Sequence, residues 1–112
     1  MLLYKKKCIP CSGNIPPLSK SEISSYLKSL KSWKVYKNEK KAFYLSKNCK
    51  FKNFLQSLKF IKKVSSLAEN EGHHPDINFG WGYAKIVIYT HAINGLSESD
   101  FILASKIDRI SV

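Results

Sequence analysis

Arginine is nearly absent from this chain. Of its 19 basic residues only Arg109 is an arginine, and the lysines are spread along the whole length. The planar guanidinium is the group that grips phosphates and base edges bidentately. The net charge of +11 therefore reads as a solvated lysine surface with a weak, salt-sensitive attraction to polyanions at most, and nucleic-acid binding is not expected. Long apolar runs are missing as well. The longest cluster contains Ile86, Val87 and Ile88, far short of the roughly 18 residues of a membrane span. No apolar stretch follows the early charges Lys5, Lys6 and Lys7, so no secretory signal is expected. The location expected is cytoplasmic, with the nucleus as a further compartment. Cysteine is scarce: Cys8, Cys11 and Cys49. An odd number without a signal points to reduced thiols. Cys8 and Cys11 have CxxC spacing, but no second CxxC or HxxxH completes a four-ligand zinc site. The setting is a Pro- and Gly-punctuated arm rather than the strand–helix junction of a thioredoxin motif. Metal or redox use of this motif is the lesser reading.

What is present fits one globular domain. The chain has 112 residues with a hydrophobic fraction of 44%, enough for a real core. Residues 1–17 read as an irregular arm and residues 18–112 as a single domain. Ser19 and Glu22 form a capping box, with Leu18 and Ile23 as a hydrophobic staple. They open a helix to about Leu30, with Ile23, Tyr26, Leu27 and Leu30 on one face. Trp33 to Lys37 alternates as a strand, Asn38 to Lys41 offers a turn, and Ala42 to Phe51 reads as the second strand of a hairpin. Asn53 caps the longest helix, about 54–70, with Gln56 at its third position. Gly72 is its stop and Pro75 prevents continuation. Ile77–Trp81, a turn at Gly82–Ala84 and Lys85–Thr90 make a second hairpin, with Ala84, Ile86, Ile88 and Thr90 sharing a face. Ser97 and Asp100 cap a last helix to about Arg109. The order is α-β-β-α-β-β-α, an α+β fold: a four-stranded antiparallel sheet with three helices packed on one face.

Only three histidines occur, and they fall in two short segments. Glu69, His73, His74 and Pro75 form one; Thr90 and His91 form the other. Imidazole titrates near neutrality, so it can both give and take protons. Glu69 and His73 are spaced i, i+4 and can share a face at the helix end. His74 precedes proline and is pushed toward extended geometry, so its side chain points differently. His91 ends the last strand. A helix end and a strand end can meet at the rim of such a sandwich, giving a pocket with imidazoles and a carboxylate, and Trp33 and Trp81 offer flat apolar surface nearby. Other readings stay open at this level. Glu69–His73 could be a surface pair, Asp100 could serve only its helix cap, and the donors Glu69, His73, His74 and His91 would suit zinc or non-haem iron.

The spacing of these residues resembles a known family. Glu69, three residues, His73-His74-Pro75, five residues, Trp81, nine residues, His91, eight residues, Asp100 is similar to the pattern of pterin-4a-carbinolamine dehydratases. Flanking positions agree: Trp33, Phe51 to Phe54, Ala68, Thr90, and Gly95-Leu96-Ser97-Glu98. The likeness covers roughly residues 18–110, and the arm with Cys8 and Cys11 is similar to that of many microbial members.

The resemblance implies the α+β fold described above, homodimers or homotetramers formed partly by pairing sheet edges, and a hydro-lyase. The reaction is loss of water from 4a-hydroxytetrahydropterin to give quinonoid dihydropterin, which recycles tetrahydrobiopterin. No metal or other cofactor is implied, the pterin being the substrate. His73, His74, His91 and Glu69 become the catalytic set. His73 and His91 would donate protons toward hydroxyl on the two faces of the pterin, His74 would bind and orient the ring, and Glu69 would hold an imidazole in its tautomer. Gly72, Pro75, Tyr89, Thr90, Ala92 and Trp33 would contact substrate beside the histidines, with Asp100 and Trp81 as structural or catalytic support. Some animal members are also dimerisation cofactors for a homeodomain transcription factor, so a non-catalytic coactivator on the same fold is the alternative.

Overall fold

The structure is a computed structural model that describes residues 2–9 and 15–112. Cys11 lies outside the described residues, so the CxxC spacing is represented there by Cys8 alone. Three helices, α1 (Lys20–Leu27), α2 (Phe54–Glu71) and α3 (Glu98–Ile107), accompany four strands, β1 (Lys34–Lys37), β2 (Phe43–Lys50), β3 (Asp76–Gly80) and β4 (Tyr83–Ile88). The element order is the one expected, and the α+β architecture holds. All strand pairs are antiparallel, in the order β1-β2-β4-β3.

Alternation decides which face is covered. Ala84, Ile86 and Ile88 of β4 and Leu45 of β2 are buried, while Tyr83 and Lys85, on the alternate positions of β4, are exposed. Val64 of α2 and Phe101, Ile102 and Leu103 of α3 close the core from the helix side. Each such side chain contributes about 1.5–3 kcal/mol on full burial. Thr90, on the same alternation, is buried too. The other sheet face is open and carries Tyr36, Tyr44, Tyr83 and Tyr89, as the pairings Tyr36↔Tyr44 and Lys50↔Tyr83 imply.

Caps set the helix starts. Ser19 and Glu22 exchange both bonds of their box. Asn53 Oδ1 accepts from the Gln56 amide at 3.0 Å, while Gln56 Oε1 reaches back to the Lys52 amide at 3.1 Å. Gly72 ends α2 at φ +65°, a left-handed conformation that favours glycine. The Gly72 amide then donates to the Glu69 carbonyl and the His73 amide to the Ala68 carbonyl, the two bonds of a Schellman stop.

Several boundaries differ from the sequence reading. α1 ends at Leu27, and the chain to Leu30 continues as hydrogen-bonded turns, Ser29 to Tyr26 and Leu30 to Leu27. β4 begins at Tyr83 because Gly82, at φ +76°, makes the tight turn directly after Trp81. β4 ends at Ile88, not at His91. Thr90 instead bridges to Gly95, and His91–Ile93 form one 3-10 turn, closed by Asn94 at φ +51°. α3 stops at Ile107 rather than Arg109. The arm is not irregular throughout: Leu3–Lys5 form a 3-10 turn, and Leu3 and Cys8 are buried in the main core. Among the described residues, no helix is long and apolar enough to cross a membrane.

Candidate active site

Antiparallel pairing puts the two histidine segments at one end of the second hairpin. β3 begins where β4 ends, with Asp76 opposite Val87. Extending that register past the ladder sets His73 across from Thr90 and His74 across from Tyr89. Since alternate residues face opposite ways, His73 turns toward the helix layer and His74 toward the open face.

Asp100 joins the segments. Its side chain is fully buried at the start of α3. Oδ2 accepts from the Ser97 amide at 2.8 Å and from the Thr90 hydroxyl at 2.8 Å. Ser97 Oγ lies 3.3 Å from Oδ2 and 3.0 Å from Thr90 Oγ1. Oδ1 is 2.6 Å from His73 Nε2. An ionised carboxylate only accepts, and in that form Asp100 takes its Oδ1 contact as a donation from His73 Nε2. The helix-cap role expected of Asp100 is therefore real and is combined with a second role, that of partner to an imidazole.

Glu69 pairs differently from the sequence reading. Its carboxylate contacts His74 Nε2, not His73. The Gly72 stop turns the chain, so the helical i, i+4 geometry that would bring Glu69 to His73 ends at Glu71, two residues too early. The two histidine–carboxylate couples contrast in setting. Side-chain exposure is 15% and 0% for His73 and Asp100 but 59% and 76% for His74 and Glu69.

His91 is exposed on its 3-10 turn, and its ring packs against Tyr89 at 4.2 Å between centroids. Together with Tyr44, Lys37, Lys40 and Asn94 it lines an open cleft of about 660 Å³ on the tyrosine-bearing side of the sheet. His73 and His74 are not among the lining residues of that cleft. Within one chain the three imidazoles thus gather at one end of the hairpin without lining a single cavity, and Glu69, His73, His74 and His91 do not converge on one point. Among the described residues no three His, Cys, Asp or Glu side chains are grouped to hold a metal ion.

The tryptophans stand apart from this end of the hairpin. Trp33 is buried, and its indole Nε1 donates to Asp108 Oδ1 at 2.8 Å, with Lys47 Nζ over the ring at 5.8 Å. Asp108 lies eight residues beyond Asp100, about 12 Å along the helix, so within one chain the Trp33 indole is held at the far end of α3 from the His73–Asp100 contact. Trp81 is 70% exposed at the tip of the β3–β4 hairpin, seven residues beyond His74, about 23 Å of extended chain. Gly72 and Ala92 are exposed, Pro75 and Tyr89 half-buried and Thr90 buried, all on or beside the two histidine segments.

The sequence model of the family described as pterin 4 alpha carbinolamine dehydratase matches residues 16–110. The chain belongs to this family. A Rickettsia bellii protein is 50% identical over 107 residues, covering 95% of this chain and 91% of its own. An Alkaliphilus metalliredigens protein is 48% identical, covering 96% and 94%. Both carry the provisional name pterin-4-alpha-carbinolamine dehydratase. Among solved structures, a transcriptional coactivator/pterin dehydratase from Brucella melitensis superposes with a TM-score of 0.72 at 27% identity, covering 81% of this chain and 94% of its own. A pterin dehydratase-like protein identified as a RuBisCO assembly factor in the alpha-carboxysome superposes at 0.59 and 26% identity, covering 71% and 89%. Pterin dehydratase relatives and this chain thus share the fold that positions the two histidine segments.

Proposed function

We propose that this family member is a hydro-lyase that dehydrates 4a-hydroxytetrahydrobiopterin to quinonoid dihydrobiopterin by histidine acid–base catalysis. The observation that carries the reading is the Asp100 carboxylate, which ties His73 on one segment to Thr90, the neighbour of His91, on the other. The 4a-hydroxyl sits on a carbinolamine carbon whose adjacent nitrogen lone pair can expel it. Hydroxide leaves poorly, so an acid must protonate it as the C–O bond breaks. A base then takes the ring N–H proton, and water and the quinonoid pterin depart. Imidazoles suit both tasks near neutral pH. The pterin lies at the open-face end of the hairpin, against Tyr89, with its polar edge on the backbone of Gly72–His74 and Tyr89–Ala92. His91 and His73 are the proton donors, and Asp100 fixes the ring orientation and tautomer of His73. His74, held by Glu69, binds and orients the ring. No metal or second cofactor takes part, and the working form is a homodimer or homotetramer.

Purified protein should accelerate dehydration of the carbinolamine. His74→Ala and His91→Ala should each lose most of that activity while keeping the wild-type circular dichroism. Full activity in both would sink the mechanism. A second reading is a binding module, suggested by the assembly-factor relative on the same fold and by the coactivator named with the Brucella structure. It is favoured if the protein shows no dehydration and a regulatory partner binds wild type and both histidine variants equally.

A further inference from the structure

The chemistry above leaves the N-terminal arm unused, yet the arm is built into the body with specific contacts. Its course follows α3 from end to end. Tyr4 stacks under the Arg109 guanidinium at 3.9 Å, just past the C-terminus of α3. Lys6 Nζ donates to Glu98 at 3.1 Å, at the N-terminus. The Ile9 amide donates to Ser99 Oγ at 3.0 Å, and that hydroxyl donates back to the Ile9 carbonyl at 3.2 Å. Cys8 Sγ donates to the Ser99 carbonyl at 3.4 Å. The arm also reaches α2: the Cys8 amide donates to Glu71 Oε1 at 2.9 Å, while Glu71 Oε2 holds Lys106 Nζ at 2.6 Å. Glu71 is two residues before His73 and Ser99 one residue before Asp100.

The state of these groups fits a structural clamp rather than a reactive motif. Burial, then the neighbouring Glu71 charge, pushes the Cys8 thiol up to about 12, so it remains a neutral thiol and not the thiolate of a metal or redox site. Burial alone would raise the Glu71 carboxyl, but the Cys8 amide and the Lys106 ammonium outweigh it and hold Glu71 below the usual carboxylate range. The clamp is therefore charged and closed at neutral pH. Its arm residues, Cys8 and Ile9, lie outside the residues, 16–110, that the family sequence model matches, while Glu71, Ser99 and Lys106 lie within them.

We infer that the N-terminal arm is a positioning strap for the His73–Asp100 couple. Through the Cys8 amide it holds the end of α2 at Glu71, and through Ile9 it holds the start of α3 at Ser99. The two helix ends that carry the couple are thereby fixed to one continuous piece of chain. A misplacement of about 1 Å in a catalytic group can cost on the order of 100-fold in rate, so Glu71 and Ser99 act on the reaction through His73 without touching substrate. The catalytic consequence rests on the dehydratase reading; the geometric link does not.

Ser99→Ala and Glu71→Ala in the full chain test the strap. The readouts are the low-field proton NMR resonance of the His73 ring N–H, assigned by its loss in His73→Gln, together with kcat and KM. In both variants the resonance should broaden or vanish while those of His74 and His91 stay in place. kcat should fall about tenfold, within the range expected of a loosened catalytic group, with KM little changed. Glu71→Gln, which keeps an acceptor for the Cys8 amide, should recover most of the loss. An unmoved resonance with unmoved kcat in folded Ser99→Ala overturns the strap. Hydrogen exchange in the unaltered protein reads the same link even if the variants fold poorly. The Cys8 and Ile9 amides should open together with the His73 ring proton, and a protected ring proton beside freely exchanging arm amides also overturns it. Wild type without dehydratase activity would remove the functional reading and leave the NMR and exchange results to decide the strap.

Discussion

Two histidine–carboxylate couples sit side by side in this molecule, one buried and one exposed. His73–Asp100 is buried, and Asp100 is shared with Thr90 and Ser97. His74–Glu69 is exposed and Glu69 has no other side-chain partner among the described contacts. The chemistry is the same and the sequence separation is a single residue. What differs is the direction each imidazole takes from the segment between α2 and β3, one to buried Asp100 and the other to exposed Glu69. An exposed ion pair gains little in water, and double-mutant measurements put such pairs at about 0.2–1 kcal/mol. A buried carboxylate that loses a partner leaves polar groups stranded, which costs several times more. The buried couple should therefore hold the proton-donating His73 in place, and the exposed couple should bind and orient the ligand.

The largest effect that would break this contrast is expected at Asp100. Asp100→Ala strands Thr90, Ser97 and His73 together and should lower unfolding stability by about 3 kcal/mol or more, read as a fall in the urea midpoint. A loss comparable to that of Glu69→Gln would erase the distinction. Next comes Gly72→Ala. A Cβ there meets no atom within 4 Å, but φ is +65°, so the cost is conformational, about 1 kcal/mol. The thermal midpoint should drop, and His73 should shift against Asp100, read as a changed His73 ring resonance.

Acid should loosen the arm before the core. Glu71 is held below the ordinary carboxylate range as described. Glu98 is also lowered, first by the Tyr26 hydroxyl bond, against an opposing effect of burial, and then by Lys6. A depressed folded value means that the stabilisation is fully present above the ordinary value of about 4.5 and is lost as pH falls through the folded values. Arm amides of Cys8 and Ile9 should lose exchange protection in that window while Ile86 and Ile88 keep theirs; simultaneous loss would mean that the arm is not a separate unit. The smallest effect is expected for Glu69→Gln, which should change stability by no more than about 0.5 kcal/mol and weaken pterin binding more than turnover.

Much of this was legible in the sequence because the signals are local. The Ser19–Glu22 and Ser97–Asp100 boxes, the Asn53 cap and the Gly72 stop each depend on residues within a turn of one another. The alternation through Ala84, Ile86, Ile88 and Thr90 fixes a face without knowledge of the partner strand. The misses are long-range. Nothing near Glu69 shows that the helix stop sends His73 to Asp100 and leaves His74 to Glu69. Nor does anything near Trp33 show that its indole bonds to Asp108, 75 residues away. The arm reads as irregular because its order comes from Glu71 and Ser99, both more than 60 residues distant. His91 reads as a strand end because the bridge from Thr90 to Gly95, which throws it onto a separate turn, is not written in hydrophobic periodicity.

The most direct test of the central claim is the rate of 4a-carbinolamine dehydration, followed in stopped flow for wild type beside His74→Ala. The account predicts clear acceleration by wild type and loss of most of it in the folded variant. No acceleration by wild type, or an undiminished rate in His74→Ala, would contradict it.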